Sequence, residues 1–322
     1  MGSDSGPFKE NGVGFSTRAI LTAAVVALAA RAATAQEGLE EKKAQKLASE
    51  FLKKADWILD YDQAREQARK TGKAIFALFS RSYAPCPACH ALEHGPLLTD
   101  DFAKFAKDYV LFCHITSMIP GEKYGDLLEE KGGNAFPWLV FMDASGDIIV
   151  EHRGPRTAAD FGRTGETARS YLSLKEKSAK GDRPAAIDFA ILQLSMGKIK
   201  AEEAEKALQG SGEPTKEQKA RYDLERTNAE VRESVAKLRS DEQAAELGRK
   251  YYARHKEGKP APTADNEVQS YYILVMDAAA EAKDPSTFEA AYTLLFDKFG
   301  KMEGASAFFD LKARQLKDLQ KK

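Results

Sequence analysis

The chain has few cysteines, almost no net charge and no long apolar run beyond its N-terminal region. Three of its 322 residues are cysteine, and 48 basic side chains nearly balance 49 acidic ones, for a formal net charge of -1. So few cysteines exclude a fold held together by several disulfides. The balanced charge gives no electrostatic basis for binding nucleic acid or an anionic membrane surface, so we predict neither partner.

Motifs for nucleotide phosphates and for common hydrolases are also missing. Neither G-x-G-x-x-G nor G-x-x-x-x-G-K-[ST] occurs, and serine-hydrolase and zincin motifs are absent. We therefore predict no bound cofactor and no dedicated metal site. The composition, 43% hydrophobic and 30% charged, is that of an ordinary globular protein. A chain of this length favours two domains.

The first residues have the pattern of a secretory signal peptide. Lys9 and Arg18 precede an apolar stretch over 19–30, and a small-residue ending closes at Ala35. This order is typical of a signal peptide cut after Ala35, and the stretch is too short to span a bilayer of about 30 Å. We predict that residues 1–35 are removed and that the mature chain, without a membrane span, is periplasmic or secreted.

Residues 36–156 alternate helix and strand patterns. Continuous apolar runs of strand length, such as that over 74–79, predict buried strands. The predicted elements are helices over 38–55 and 62–70, a strand over 74–79, a helical segment opening at Cys86, a helix over 99–108, a strand over 109–115, a helix over 124–130 and a hairpin of strands 138–142 and 148–151. These residues therefore predict one α/β domain.

Residues 157–322 carry almost no strand pattern. Apolar residues recur there at helical spacing in blocks that end at Gly197 and Gly300, and Gly- or Pro-rich breaks separate helices of ordinary length. Stacked helical hairpins fit this pattern. This second domain is equally consistent with a helical cap, a dimerisation element or a surface that binds a protein partner.

A cysteine pair, Cys86-Pro87-Ala88-Cys89, follows the strand over 74–79 and opens a helical segment. Thiol–disulfide exchange needs a thiolate that attacks and a second thiol that resolves the mixed disulfide. A helix N-terminus favours the anion of the first sulfur, and one turn along the second sulfur lies close to it. We predict that Cys86 is the exposed nucleophile and Cys89 the more buried resolving thiol.

Two other interpretations of the pair stay open. His90 directly after Cys89 completes C-x-x-C-H, the motif for covalent haem attachment. Together with His94, the same residues could hold a soft metal such as Cu(I) or Zn(II). The buried strand directly ahead of the pair favours thiol chemistry, because thiol redox sites have that context.

Residues 57–154 resemble exported bacterial thioredoxin-like proteins. The matching features are Trp57 and the helix after it, the strand before the cysteine pair, Leu92-Glu93, the segment over 102–110, Phe136-Pro137 before a strand, and the turn over 143–147. The resemblance implies a cis bond before Pro137, with that proline beside the cysteines as a third site residue. For the α/β domain over 36–156 it implies a thioredoxin-like fold, a central mixed β-sheet flanked by helices. The all-α helical-hairpin domain over 157–322, predicted from its apolar spacing, follows this domain.

The sequence departs from that family at the site. Pro85 stands where thioredoxins commonly have Trp, and the strand beneath the pair offers Ala77 and Leu78 instead of a carboxylate. Glu93 or His90 could replace the missing acid, but such side chains are mostly exposed, and we expect both to be solvated. The two residues between the cysteines bring no charge and no donor, so we expect a moderately lowered pKa for the first thiol.

Two hypotheses for function follow. In the first, the protein is an exported thiol–disulfide oxidoreductase that acts on protein cysteines, with the direction of electron flow open. In the second, it is a scaffold whose helical domain binds a partner. Cys113, on a strand among apolar neighbours, is expected to be a buried small hydrophobic residue without reactivity.

Overall fold

The computed structural model describes residues 36–321, and the chain forms two compact units, the second of which begins at Ser170. The predicted signal peptide lies outside the described residues. The elements of the first unit are α1 (36–47), α2 (Glu50–Lys54), α3 (Tyr61–Thr71), β1 (Ile75–Arg81), α4 (Pro87–Glu93), a 3-10 turn (Pro96–Leu98), α5 (Asp100–Ala106), β2 (Val110–Thr116), α6 (Leu127–Glu130), β3 (Trp138–Met142), β4 (Ile148–Glu151) and the first part of α7 (Ala158–Ala179).

A four-stranded mixed sheet, in the order β2-β1-β3-β4, is the centre of this unit. β1 pairs with β2 in parallel and with β3 antiparallel, and β4 is antiparallel to β3. The apolar runs of β1 and β2 are buried along almost their whole length. Such runs suit strands that are covered on both faces.

The two faces of the sheet pack against different helices. On one face Phe79 and Phe112 join a cluster with Ala64 and Ala68 of α3. On the other face the ring of Phe76 contacts Phe102 and Phe105 of α5 and Phe161 of α7. Each fully buried side chain of this size stabilises the fold by about 1.5–3 kcal/mol. We call the side covered by α3 the α3 face. On the opposite side Ser80 of β1 also contacts Glu93 of α4, and we call it the α4 face.

Most predicted elements of the first unit are confirmed. The hairpin strands have the predicted bounds, and the turn between them has Gly146 at a φ of 83°. α3 ends where Gly72, at a φ of 68°, caps it in the left-handed conformation that glycine adopts without strain. Local turn and cap chemistry was enough to predict these limits.

The single helix predicted over 38–55 is wrong. The structure has two helices there, because Ser49 is extended (φ -58°, ψ 144°) and starts α2 as a new helix. The break lets Phe51 of α2 become buried against Trp57, with ring centroids 5.9 Å apart. Leu47, at the C-terminal end of α1, is 38% exposed.

The second unit is helical, as predicted. Besides the end of α7, its helices are α8 (Arg183–Ser195), α9 (Ala201–Ser211), α10 (Lys216–Ala236), α11 (Asp241–Lys256), α12 (Asp265–Glu281), α13 (Pro285–Phe299) and α14 (Ser306–Gln320). Successive helices pack on one another from α11 to α14 around buried Tyr271 and Phe288. Within residues 36–321 no helix is long and apolar enough to cross a bilayer.

Candidate redox site

The cysteine pair lies at the first turn of α4, directly after the loop that follows β1. Cys86 is the N-cap residue, and Pro87 occupies the first helical position, where its fixed φ suits the helix and its missing N–H costs no hydrogen bond. Cys86 and Cys89 are joined by a disulfide, with Cα atoms 5.2 Å apart. The sulfur of Cys86 also accepts a hydrogen bond of 3.2 Å from the Cys89 N–H.

The two cysteines differ in exposure in the predicted order. Cys86 is partly exposed, whereas Cys89 is 1% exposed. An attacking thiol must be reached by another molecule, and a resolving thiol needs only to reach its neighbour. The exposure of the pair therefore suits Cys86 for attack and Cys89 for resolution.

Glu93 is buried, and the expectation that it is solvated is wrong. Only 3% of it is exposed, and it lies one helical turn after Cys89, on the same buried side of α4. Its carboxylate accepts a hydrogen bond of 2.7 Å from the Ser80 hydroxyl at the end of β1. The site therefore does contain a buried acid, supplied by the helix instead of the strand.

Lys46 of α1 is the counterion of this acid. Its ammonium nitrogen lies 2.5 Å from each carboxylate oxygen of Glu93, and its side chain is 13% exposed. A buried carboxylate is tolerated when it is paired and hydrogen-bonded, and here Lys46 and Ser80 provide both conditions. Neither Lys46 nor Ser80 was predicted to belong to the site. Local sequence carries no signal for Lys46, which is separated from Glu93 by 47 positions.

Cys113 of β2 lies on the α4 face of the sheet, where it is in register with Leu78 of β1. It is a free thiol, 1% exposed, as predicted. Burial raises the pKa of this thiol far above its ordinary value, and the negative charge of Glu93 raises the pKa further. Cys113 is therefore a poor nucleophile in this state.

The segment before β3 lies against the loop that leads to the cysteines. The Phe136–Pro137 peptide bond is cis, as the resemblance implied, and Pro137 is buried. The rings of Phe136 and Tyr83 are 6.4 Å apart, and the Arg81 guanidinium lies over both rings. These contacts, and the hydrogen bond from Arg81 to the Pro85 carbonyl, place an aromatic and cationic cluster on the loop that leads to Cys86.

The two histidines after the pair lie on the exposed side of α4. The rings of His90 and His94 are stacked with centroids 3.9 Å apart, and both residues are exposed. The expectation that His90 is solvated is confirmed. Across the described part of the chain, no group of three or more His, Cys, Asp or Glu residues is arranged to hold a metal ion.

A family model of the thioredoxin-like domain matches residues 61–169. Together with the sheet, the cysteine pair at the start of α4 and the cis proline, this match confirms the predicted thioredoxin-like fold, and residues 61–169 form a thioredoxin-like domain. A search of curated proteins finds no match to this chain. The matched residues include Cys86, Cys89, Glu93 and Pro137, whereas Lys46 in α1 precedes them.

Proposed function

We propose that this protein is a thiol–disulfide oxidoreductase that acts on protein cysteines through Cys86 and Cys89. The observation that carries the proposal is the bonded pair at the start of α4, with one sulfur accessible and the other buried, in a thioredoxin-like domain. The Cys89 N–H, which donates to the Cys86 sulfur, and the dipole of α4 favour a negative charge on Cys86 once the disulfide is reduced.

The exchange proceeds in two steps. The Cys86 thiolate attacks one sulfur of a substrate disulfide, forms a mixed disulfide and releases the other substrate sulfur as a thiolate, which takes up a proton. Cys89 then attacks the Cys86 sulfur, re-forms the Cys86–Cys89 bond and releases the second substrate thiolate. Two electrons pass from the cysteine pair to the substrate. The reverse sequence oxidises a substrate dithiol, and the direction in the cell depends on the partner's potential.

Glu93 is suited to assist the second step. Cys89 attacks only as a thiolate, so its proton must leave when the mixed disulfide resolves. The buried Glu93 carboxylate lies one helical turn away on the same side of α4. We propose that Glu93 accepts this proton, and that the buried acid on the helix does what an acid on the strand does in cytoplasmic thioredoxins.

A redox titration tests the proposal. Equilibration with glutathione buffers should give a reversible two-electron couple for the wild type, and reduced protein should reduce insulin. Cys86→Ser should lose both properties, whereas Cys113→Ser, which removes a buried thiol outside the pair, should keep the couple. A wild type without any reversible couple contradicts the proposal.

The substrate can be captured with Cys89→Ser. In this variant the mixed disulfide at Cys86 persists, because the resolving thiol is gone. Disulfide-linked partners should be recovered with Cys89→Ser and lost in the Cys86→Ser, Cys89→Ser double variant. Recovery of no linked partner would instead favour the scaffold hypothesis, in which the helical unit binds a protein without exchange. Visible absorption by protein matured with haem present would favour haem attachment at Cys86 and Cys89.

We also propose that the protein acts outside the cytoplasm, in the periplasm or the medium. The support is the basic, apolar and small-residue order over 1–35. An oxidising compartment also suits a protein that exchanges disulfides. The mass of the protein recovered from the producing cells should correspond to a chain that begins at Gln36. A mass that includes Met1 would contradict the proposal.

A further inference from the structure

The inner side of α1 carries lysines where an apolar stripe would be expected. Leu39, Lys43 and Lys46 follow the spacing of one helical face, and all three are partly buried. A lysine that loses water needs a partner for its charge. Lys43 is paired with Glu122 and Lys46 with Glu93. The charges on this face of α1 are therefore matched to acids of the thioredoxin-like domain.

We propose that α1 is part of the redox site and that Lys46 is a positioning residue for the resolution step. The proposal rests on the function proposed above and extends it to a helix that precedes the family-matched residues 61–169. The Lys46 ammonium binds both carboxylate oxygens of Glu93 and so fixes the carboxylate on the side of α4 that carries Cys89. Without this partner, only the Ser80 hydroxyl would orient the carboxylate.

The groups that face Glu93 come from four elements. They are the Lys46 ammonium of α1, the Ser80 hydroxyl of β1, the Cys113 thiol of β2 and, one turn earlier on α4, Cys89. Of these four groups, only Lys46 is a cation at neutral pH. Among these groups, the Glu93 carboxylate therefore has Lys46 as its single counterion.

Other contacts hold α1 in place independently of Lys46. The Lys42 ammonium donates a hydrogen bond of 3.2 Å to the Tyr83 carbonyl, in the loop that leads to Cys86. Lys43 pairs with Glu122, which also accepts a hydrogen bond from Ser117. Replacing Lys46 alone should therefore leave α1 attached. Substitutions of Lys43 and Lys46 can then be compared, because both lysines lie on α1.

The test separates attack from resolution with Ellman's reagent as the disulfide. Reduced protein releases one equivalent of coloured thiolate when Cys86 attacks, and a second one when Cys89 resolves the mixed disulfide. We compare Lys46→Met, which keeps the length of the side chain, with Lys46→Arg, which keeps the charge. Lys43→Met is the matched control, since its partner Glu122 does not contact the cysteines in the described contacts. Each phase is recorded against pH by stopped flow.

In Lys46→Met the first phase should be unchanged and the second slowed about tenfold at neutral pH, less than the loss of a general base itself costs, because Glu93 is kept but less well positioned. The second phase should recover as the pH rises, because hydroxide can then remove the proton. Lys46→Arg should restore the wild-type pH profile, and Lys43→Met should keep it. A Lys46→Met variant with both phases unchanged, or with both slowed alike, overturns the proposal.

Two further results keep the test decisive. In the double variant Lys46→Met, Glu93→Gln no buried charge is left unpaired, so it should fold even where Lys46→Met does not. If Lys46 acts through Glu93, the double variant should resolve no more slowly than Glu93→Gln alone, whereas additive losses overturn the proposal. A wild type that releases no second equivalent contradicts the proposed function itself, and this result is distinct from every outcome above.

Discussion

The two faces of the central sheet are built from the same strands but bury different chemistry. The α3 face buries Phe79, Phe112 and small residues of α3, with the ring of His114 at the end of β2. The α4 face combines an aromatic cluster around Phe76 with a buried charged pair, Glu93 and Lys46. The rings at the centre of each face, Phe112 and Phe76, are both fully buried.

The apolar side chains of the α3 face stabilise the fold, whereas the charged pair of the α4 face is suited to proton transfer. Apolar burial on the α3 face is favourable for each side chain. A buried ion pair adds little net stability, because desolvation offsets most of the attraction between the charges. Glu93 and Lys46 are next to the cysteine helix, where a proton acceptor is useful. The two faces should therefore respond differently to substitution.

The largest effect on stability is expected on the α3 face. Phe112→Ala removes a fully buried ring that lies 5.4 Å from the Tyr61 ring, and should lower the free energy of unfolding by about 3–5 kcal/mol. Urea denaturation measures the loss. The midpoint potential of the cysteine pair should stay at the wild-type value in the folded protein. A shifted potential would contradict the division between the two faces.

A smaller loss of stability with a larger loss of activity is expected on the α4 face. Glu93→Gln leaves Lys46 without its counterion and should cost about 1–3 kcal/mol. The resolution of the mixed disulfide should slow by about a hundredfold, the lower range for the loss of a general base. Both quantities are measured on the same preparation, by urea denaturation and stopped flow.

Glu122→Gln is the matched control, because it also removes the acid partner of a lysine of α1. It should lower stability and leave the resolution rate unchanged. Equal slowing in both variants would mean that disturbing α1 is enough to slow the reaction, and that Glu93 has no special role.

The smallest effect concerns the histidine of the α3 face. Burial lowers the pKa of His114 below its ordinary value of 6.5, against the opposing hydrogen bond from its Nε2 to the Tyr124 carbonyl. As the pH falls below 6.5, the unfolded chain therefore binds the proton more readily than the folded one, and the free energy of unfolding decreases.

His114→Gln should show a flatter decrease of stability from neutral to mildly acidic pH than the wild type, measured by urea denaturation at each pH. His90→Gln, which replaces an exposed histidine of α4, should keep the wild-type dependence. An unchanged slope in His114→Gln would show that other groups control the acid response of this domain.

Features that depend on neighbours in sequence were predicted well. The apolar runs of β1 and β2 and the turn at Gly146 follow from local composition and backbone preference. The greater exposure of Cys86 relative to Cys89 also follows locally, since the first residue of a helix and one three positions later face different surroundings. The cis bond at Pro137 came only from the resemblance.

Features that depend on distant contacts were missed. The break at Ser49 could not be predicted from local sequence, because the contact that stabilises it is the packing of buried Phe51 against Trp57. Glu93 was expected in solvent, as most glutamates are. Its burial depends on Lys46 and Ser80, which come from two other elements. The residues around Glu93 in the sequence do not indicate these partners.

Local sequence is enough to predict that a cysteine pair opens a helix after a buried strand, since strand, cap and helix depend on a few neighbouring residues. The identity of the buried acid near that pair depends on contacts between distant elements. A carboxylate can stay buried when a cation and a hydroxyl reach it, and α1 and β1 bring Lys46 and Ser80 to Glu93 from remote positions in the chain. That contact turns an ordinary helix residue into a candidate proton acceptor.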